Sequence, residues 1–183
     1  MADSPYLWIF VVTSLALTWL CRRQLRNPKC HGFYRFFAFE LLLVLAVVNI
    51  HPTEMDFFSP LGTIAGGFTL ASLMVAFLGY KALQKAGVTD RHQPENFPFE
   101  NTQQVVTWGI YAYIRHPMYA SLILLGIGLL LHGITPLTGG LLTGVCVFVW
   151  LAAKTEEQES LAFFGQPYAE YQRQSKMLVP QVI

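Results

Sequence analysis

The sequence predicts an all-α integral membrane protein, one domain over residues 1–183 with about five transmembrane helices. Three observations predict it. Only 13% of the 183 residues are charged and 54% are hydrophobic, against about 25% and 45–50% in ordinary soluble domains. So little charge cannot cover a water-facing surface, and so apolar a composition also excludes disorder. Five apolar segments, 5–21, 33–50, 57–80, 117–132 and 136–153, lie near the roughly 17–25 residues that cross about 30 Å of hydrocarbon. Finally, all 12 Lys and Arg residues fall on one side of that layout.

The basic residues sort as follows. Arg22, Arg23, Arg26 and Lys29 follow segment one, and Arg35 sits just inside segment two. Lys81, Lys85, Arg91 and Arg115 separate segments three and four; Lys154, Arg173 and Lys176 follow segment five. The opposite side carries only the acids Asp3, Glu54 and Asp56. Positive charge stays on the cytoplasmic side, so the N-terminus is expected outside and the C-terminus in the cytoplasm. No basic residue precedes segment one, unlike the positive start of a secretory signal. A net charge of +1 excludes a strong nucleic-acid binder. Cys21, Cys30 and Cys146 have neither metal-ligand spacing nor an even count for a disulfide framework.

Within the segments, Tyr6, Trp8, Trp19 and Tyr34 sit near segment ends, where aromatic rings prefer the membrane interface. Gly62-xxx-Gly66 and Gly140-xxx-Gly144 have the small-xxx-small spacing that lets membrane helices approach closely, here expected within the monomer. Segment four has 16 residues and is followed by Gly133-Ile134-Thr135-Pro136. That break predicts a tight hairpin of the last two segments.

Polar groups in or beside a span are costly and so are functional candidates. Glu40 lies roughly 10 Å into segment two at 1.5 Å per residue. It could pair with Arg35 or another cytoplasmic cation, stay protonated or line a polar cavity. His51 and His132 read as interfacial. The stretch 81–116 is too polar to span and reads mostly as loop. Pro117 suits a first helical turn, which places Arg115 and His116 at a helix N-terminus whose N–H groups and dipole favour an anion. The alternative there is a plain arginine anchor. In Lys154-Thr155-Glu156-Glu157-Gln158-Glu159, Thr155 and Gln158 have capping-box spacing and predict a helix start. The three carboxylates are either a solvated helix start or part of a site. Phe163-Phe164-Gly165-Gln166-Pro167-Tyr168, with Tyr171, predicts a turn and a C-terminal amphipathic interfacial helix.

Residues Val105-Val106-Thr107-Trp108-Gly109-Ile110-Tyr111-Ala112-Tyr113-Ile114-Arg115-His116-Pro117-Met118-Tyr119 resemble the cofactor signature of the isoprenylcysteine carboxyl methyltransferase family, roughly L-V-T-x-G-x-Y-x-x-x-R-H-P-x-Y. Glu156-Glu157, then Phe164-Gly165, Tyr168, Tyr171 and Pro180, resemble its C-terminal block. Related membrane enzymes, including phospholipid N-methyltransferases, share parts of the pattern. The resemblance covers about the last 80 residues and makes 101–183 the cofactor-binding catalytic region.

It implies S-adenosylmethionine as cofactor, in a cytoplasmic pocket under the last two helices. Gln103, Gln104, Val105 and Val106 match the stretch lining the cofactor. Tyr111, His116, Pro117, Met118 and Tyr119 match further contacts, and Glu156 the carboxylate that completes the site. Arg115 and Glu157 are the catalytic candidates. Two positions depart from the family. Gln103 and Gln104 stand where a His is usual. The substrate-contacting Arg before the acidic pair becomes Ala152 on an ungapped count, or Lys154 with a two-residue gap.

The reaction implied is methyl transfer to a lipid-borne nucleophile arriving from the bilayer. A carboxylate acceptor is already ionised at pH 7. An amine would need a base, with Glu157 or Glu40 as candidates. The competing expectations are carboxyl O-methylation of an isoprenylcysteine-like compound, N-methylation of a phospholipid amine, and a non-catalytic membrane subunit or scaffold. A broken Arg115–Tyr119 run or a missing Glu156 would favour the last; both are intact.

Overall fold

Proline punctuates this chain. The computed structural model describes residues 5–49, 58–87 and 96–179. The expectations placed on Asp3, His51, Glu54, Asp56, Arg91 and Pro180 lie outside those described residues. Six α-helices are seen among them: α1 (Pro5–Leu20), α2 (His31–Asn49), α3 (Pro60–Lys85), α4 (Pro117–Leu130), α5 (Pro136–Phe164) and α6 (Gln166–Gln174). Helices α3, α4 and α5 begin on a proline, whose fixed φ and missing N–H cost nothing in a first turn. Ser59 caps α3 by accepting from the Gly62 N–H at 3.0 Å, and Thr135 caps α5 by accepting from the Thr138 N–H at 3.2 Å.

Helices α2, α3 and α5 are long and apolar enough to cross a membrane. Helices α1 and α4 are apolar but shorter, at 16 and 14 residues. At 1.5 Å per residue α4 is only about 21 Å long, less than the roughly 30 Å of hydrocarbon. Helix α5 differs most from expectation. It runs unbroken for 29 residues, straight through the point where Thr155 was expected to start a new helix. Thr155 Oγ1 instead donates back to the Leu151 carbonyl at 2.9 Å. The reason is compositional: nothing between Gly144 and Gly165 is glycine or proline. Gly165 then ends the helix at φ 64°, in the left-handed region that glycine adopts without strain.

The main packing pairs are α2 on α5 and α3 on α4. Ala38, Leu42 and Leu45 recur at helical spacing on α2 and meet Val145, Val149, Ala152 and Ala153 of α5. In lipid, burial brings little hydrophobic gain, so close packing and interhelical hydrogen bonds hold such a bundle. Gly128 is one contact of that kind. A Cβ there would fall 2.7 Å from Thr69 Oγ1 and 3.1 Å from the Ala65 carbonyl of α3. The glycines singled out from spacing behave differently. Gly144 lies against Leu41, but Gly66 and Gly140 face open space, so neither pair packs as a unit within the monomer. Two polar side chains reach across: Ser72 Oγ donates to the Ser121 carbonyl at 2.8 Å, and Asn49 to the Leu129 carbonyl at 2.9 Å.

Candidate active site

At one end of the bundle, α2, α3, α4, α5 and α6 surround a cavity of about 280 Å³, closed over by residues 96–111. That is close to the lower end of ordinary ligand pockets, roughly 300–1,000 Å³. Its wall grades along the helices. His31 and Arg35 begin α2 and give way one turn later to Phe39; His116 and Met118 give way to Leu122 on α4. Residues four apart share a helix face, so each helix presents a polar end and an apolar continuation.

One corner is built around Arg115. Its Nε donates to Glu157 Oε1 at 2.7 Å and its Nη2 lies 2.6 Å from the same oxygen. Its Nη1 donates to the Gln172 carbonyl at 3.2 Å and also to the Ser175 carbonyl. The chain after α6 doubles back here. The Arg115 N–H donates to the Lys176 carbonyl at 2.7 Å and the His116 N–H to the Met177 carbonyl at 3.0 Å. These N–H groups were expected to await an anion at the start of α4. They are taken because a returning backbone segment satisfies them first, as buried N–H groups require. Tyr171 Oη adds a bond to the Tyr111 carbonyl at 2.7 Å.

A second corner joins α2 to α5 and to the 3₁₀ turn Pro98–Glu100. The His31 N–H donates to Glu159 Oε1 at 3.0 Å, and His31 Nδ1 lies 2.7 Å from Glu159 Oε2. Arg35 pairs with Glu100 through Nη1, and its guanidinium lies 4.5 Å from the centre of the Phe97 ring. Glu100 is further held by the Phe97 N–H at 2.8 Å. Burial alone would push the Glu100 carboxyl up, but Arg35 and His31 outweigh it and hold its pKa at about 2.

Of the residues singled out from sequence, Val105, Val106, Tyr111, Arg115, His116, Met118, Tyr119 and Glu156 line this cavity. Gln103 and Gln104 are exposed and do not. Pro117 is buried behind the wall, against Gly79. Glu157 is buried in the ion pair with Arg115. Lys154 is exposed outside the cavity, 3.8 Å from Glu157. Among the described residues Glu40 pairs with no arginine: its Oε2 accepts from Ser14 Oγ at 3.0 Å and it does not line the cavity. His31, Glu100, Glu159, Tyr168 and Tyr171 do line it; sequence reasoning gave His31 and Glu100 no role, and Glu159 only as one of three acids that were either a solvated helix start or part of a site. Among the described residues, four side-chain atoms at the cavity are buried with no hydrogen-bond partner, His31 Nε2, Arg35 Nη2, His116 Nε2 and Tyr119 Oη, the two imidazole nitrogens lying 3.7 Å from Glu100 and Glu157. Buried polar atoms are nearly always paired, so orphans gathered at one cavity mark a place for a polar ligand.

An all-helical fold with three helices long and apolar enough to cross a membrane, and a cavity of mixed polar and apolar lining at one end of the bundle, defines a helical membrane protein. A family model described as phospholipid methyltransferase matches residues 62–166, and the chain belongs to that family. Protein-S-isoprenylcysteine O-methyltransferase of Homo sapiens is 33% identical over 108 residues, covering 55% of this chain and 37% of that protein. The protein of the same name from Tribolium castaneum is 35% identical over 80 residues, 42% of this chain and 27% of its own. The chain thus covers well under two thirds of the length of these relatives. No solved structure matches it.

Proposed function

We propose that the chain is a membrane-embedded, S-adenosylmethionine-dependent methyltransferase that esterifies the carboxylate of an isoprenylcysteine-like, lipid-borne acceptor. The observation that carries this reading is the cavity: the signature residues and Glu156, more than 35 positions apart in sequence, line one space with polar and apolar ends. The residues fit the cofactor. Glu156 is partly exposed at the wall, and among the described residues its only ion-pair contact is a loose 3.9 Å to His116 Nδ1. His116 Nε2 and Tyr119 Oη are buried without partners. When bound, S-adenosylmethionine supplies an electrophilic methyl group on a sulfonium.

Glu156 would hold the ammonium, and the faces of Tyr111 and Tyr119 would attract the cation by cation–π contact. Tyr168 and Tyr171, with Phe164, would shield the site from water. Burial pushes the phenols of Tyr111, Tyr168 and Tyr171 up, so they serve as neutral hydroxyls at pH 7. A carboxylate acceptor needs no base, and the protein's work is orientation. The cation sorting supports five crossings, the last two as a hairpin, with α6 at the interface and the cavity facing the cytoplasm.

The second reading, N-methylation of a phospholipid amine, is favoured by the description of the matched family. Against it, neither Glu157 nor Glu40, the two bases weighed for an amine, lines the cavity. Titration of the detergent-purified chain with S-adenosylhomocysteine tests cofactor use. Binding below millimolar is expected, and none at millimolar overturns both readings. Labelled cofactor with a farnesylcysteine analogue or phosphatidylethanolamine then separates them: a base-labile ester supports the first, a base-stable product the second.

A further inference from the structure

A carboxylate entering this cavity needs a cation with a donor to spare. Among the described residues, three arginine or lysine cations come into question, besides His31, which Glu159 at 2.7 Å and Glu100 at 3.7 Å already flank. Arg115 is spent: Nε, Nη1 and Nη2 are all engaged by Glu157 and by the Gln172 and Ser175 carbonyls. Lys154 lies outside. Arg35 differs from both. It is 5% exposed, lines the cavity, and uses Nη1 on Glu100 while Nη2 has no partner. Phe97 stacks on the guanidinium and Glu100 holds its other nitrogen, so the plane is set before any ligand arrives. The unpartnered hydroxyl of Tyr119 borders the same cavity.

We propose that Arg35 Nη2, assisted by Tyr119 Oη, forms a carboxylate-binding subsite in the cavity, a deepening that rests on the methyltransferase reading. Arg35 stands outside the family match at 62–166, so this donor is contributed by the part of the chain that the comparison leaves uncovered. Its position suits an amphiphile. Phe39 lies one turn further along α2, with Ala76 and Leu122 on the neighbouring helices, so a head held at Arg35 leaves an attached hydrocarbon chain against apolar wall. The same chemistry could receive the carboxylate of the cofactor, and the experiment has an arm for each source.

The full chain in detergent is titrated with two ligand pairs: N-acetyl-S-farnesylcysteine and its carboxamide, and S-adenosylhomocysteine and its carboxamide. The wild type is expected to prefer the acid of one pair by about tenfold or more, the worth of a charge-assisted hydrogen bond. Arg35→Gln alone would strand the buried Glu100 charge, so the variant is Arg35→Gln with Glu100→Gln. It is expected to bind acid and amide within about twofold. Loss in the farnesyl pair assigns the subsite to the acceptor, and loss in the adenosyl pair to the cofactor. If the double variant does not fold, Arg35→Lys replaces it; lysine keeps the charge but not the second planar nitrogen, and an undiminished preference overturns the proposal. So does a double variant that retains the wild-type preference, or a wild type that binds without one. In both of those cases ligand binding still supports the methyltransferase reading. A wild type that binds neither pair overturns that reading first.

Discussion

Arg115–Glu157 and Arg35–Glu100 are both buried ion pairs at one cavity, and they are finished to different degrees. In the first, every nitrogen of the guanidinium is engaged, and two of its acceptors are backbone carbonyls of the segment that follows α6. In the second, one nitrogen is left over. Taking charges out of water costs several kcal/mol per ion unless the remaining donors are satisfied. The closed pair meets that cost internally and ties α4, α5 and the final segment together. The open pair meets it only in part, as expected of a group whose last partner arrives from outside. The difference separates a structural clamp from a recognition element, although both consist of the same two residue types.

The clamp side of the comparison breaks most severely at Arg115→Met. Glu157 is then left with only His116 at 3.7 Å and the exposed Lys154 at 3.8 Å among the described residues, and a loss of about 3–5 kcal/mol is expected, read as a large fall in melting temperature in detergent. A fall no bigger than that of a surface variant would show that the clamp is not one. The open pair is next. Glu100 has its pKa at about 2 against an ordinary 4.5, so between those values the unfolded chain binds the extra proton and stability falls as pH drops. The contribution is on the order of 2–3 kcal/mol. It is fully present above about pH 5, and the acid limb of melting temperature against pH should flatten in Glu100→Gln. Tyr171→Phe removes the buried bond from α6 to the Tyr111 carbonyl and should cost about 1 kcal/mol. Lys154→Ala should be the mildest, within about 0.5 kcal/mol and with unchanged ligand affinity, since Lys154 is exposed outside the cavity.

The parts of the molecule that could be read in advance are those encoded by neighbours. Apolar runs marked the helices because crossing lipid demands an unbroken stretch, and Pro117 and Pro136 marked two of their starts. The cavity wall from Val105 to Tyr119 was legible as a motif. What stayed hidden was pairing across distance. Arg35 looked like one more cytoplasmic cation because its partner is 65 residues away, and His31 meets Glu159 across 128. No periodicity connects such residues. Glu40 stayed open for the converse reason: Arg35, its sequence neighbour, was one candidate partner among several alternatives, and it is Ser14 of α1 that reaches it. The break expected at Thr155 failed because capping-box spacing is a local pattern that an uninterrupted helix also contains.

The span between His31 and Glu159 has a consequence for biogenesis. A ribosome adds about 5–20 residues per second. Helix α2 therefore waits roughly 6–26 s before the carboxylate 128 positions later has even been made. During that interval its first turn carries His31 and Arg35 without the partners they hold in the finished fold. Insertion of α2 is thus expected to stay provisional, its basic end parked among headgroups, until α5 is delivered and the cavity closes around both.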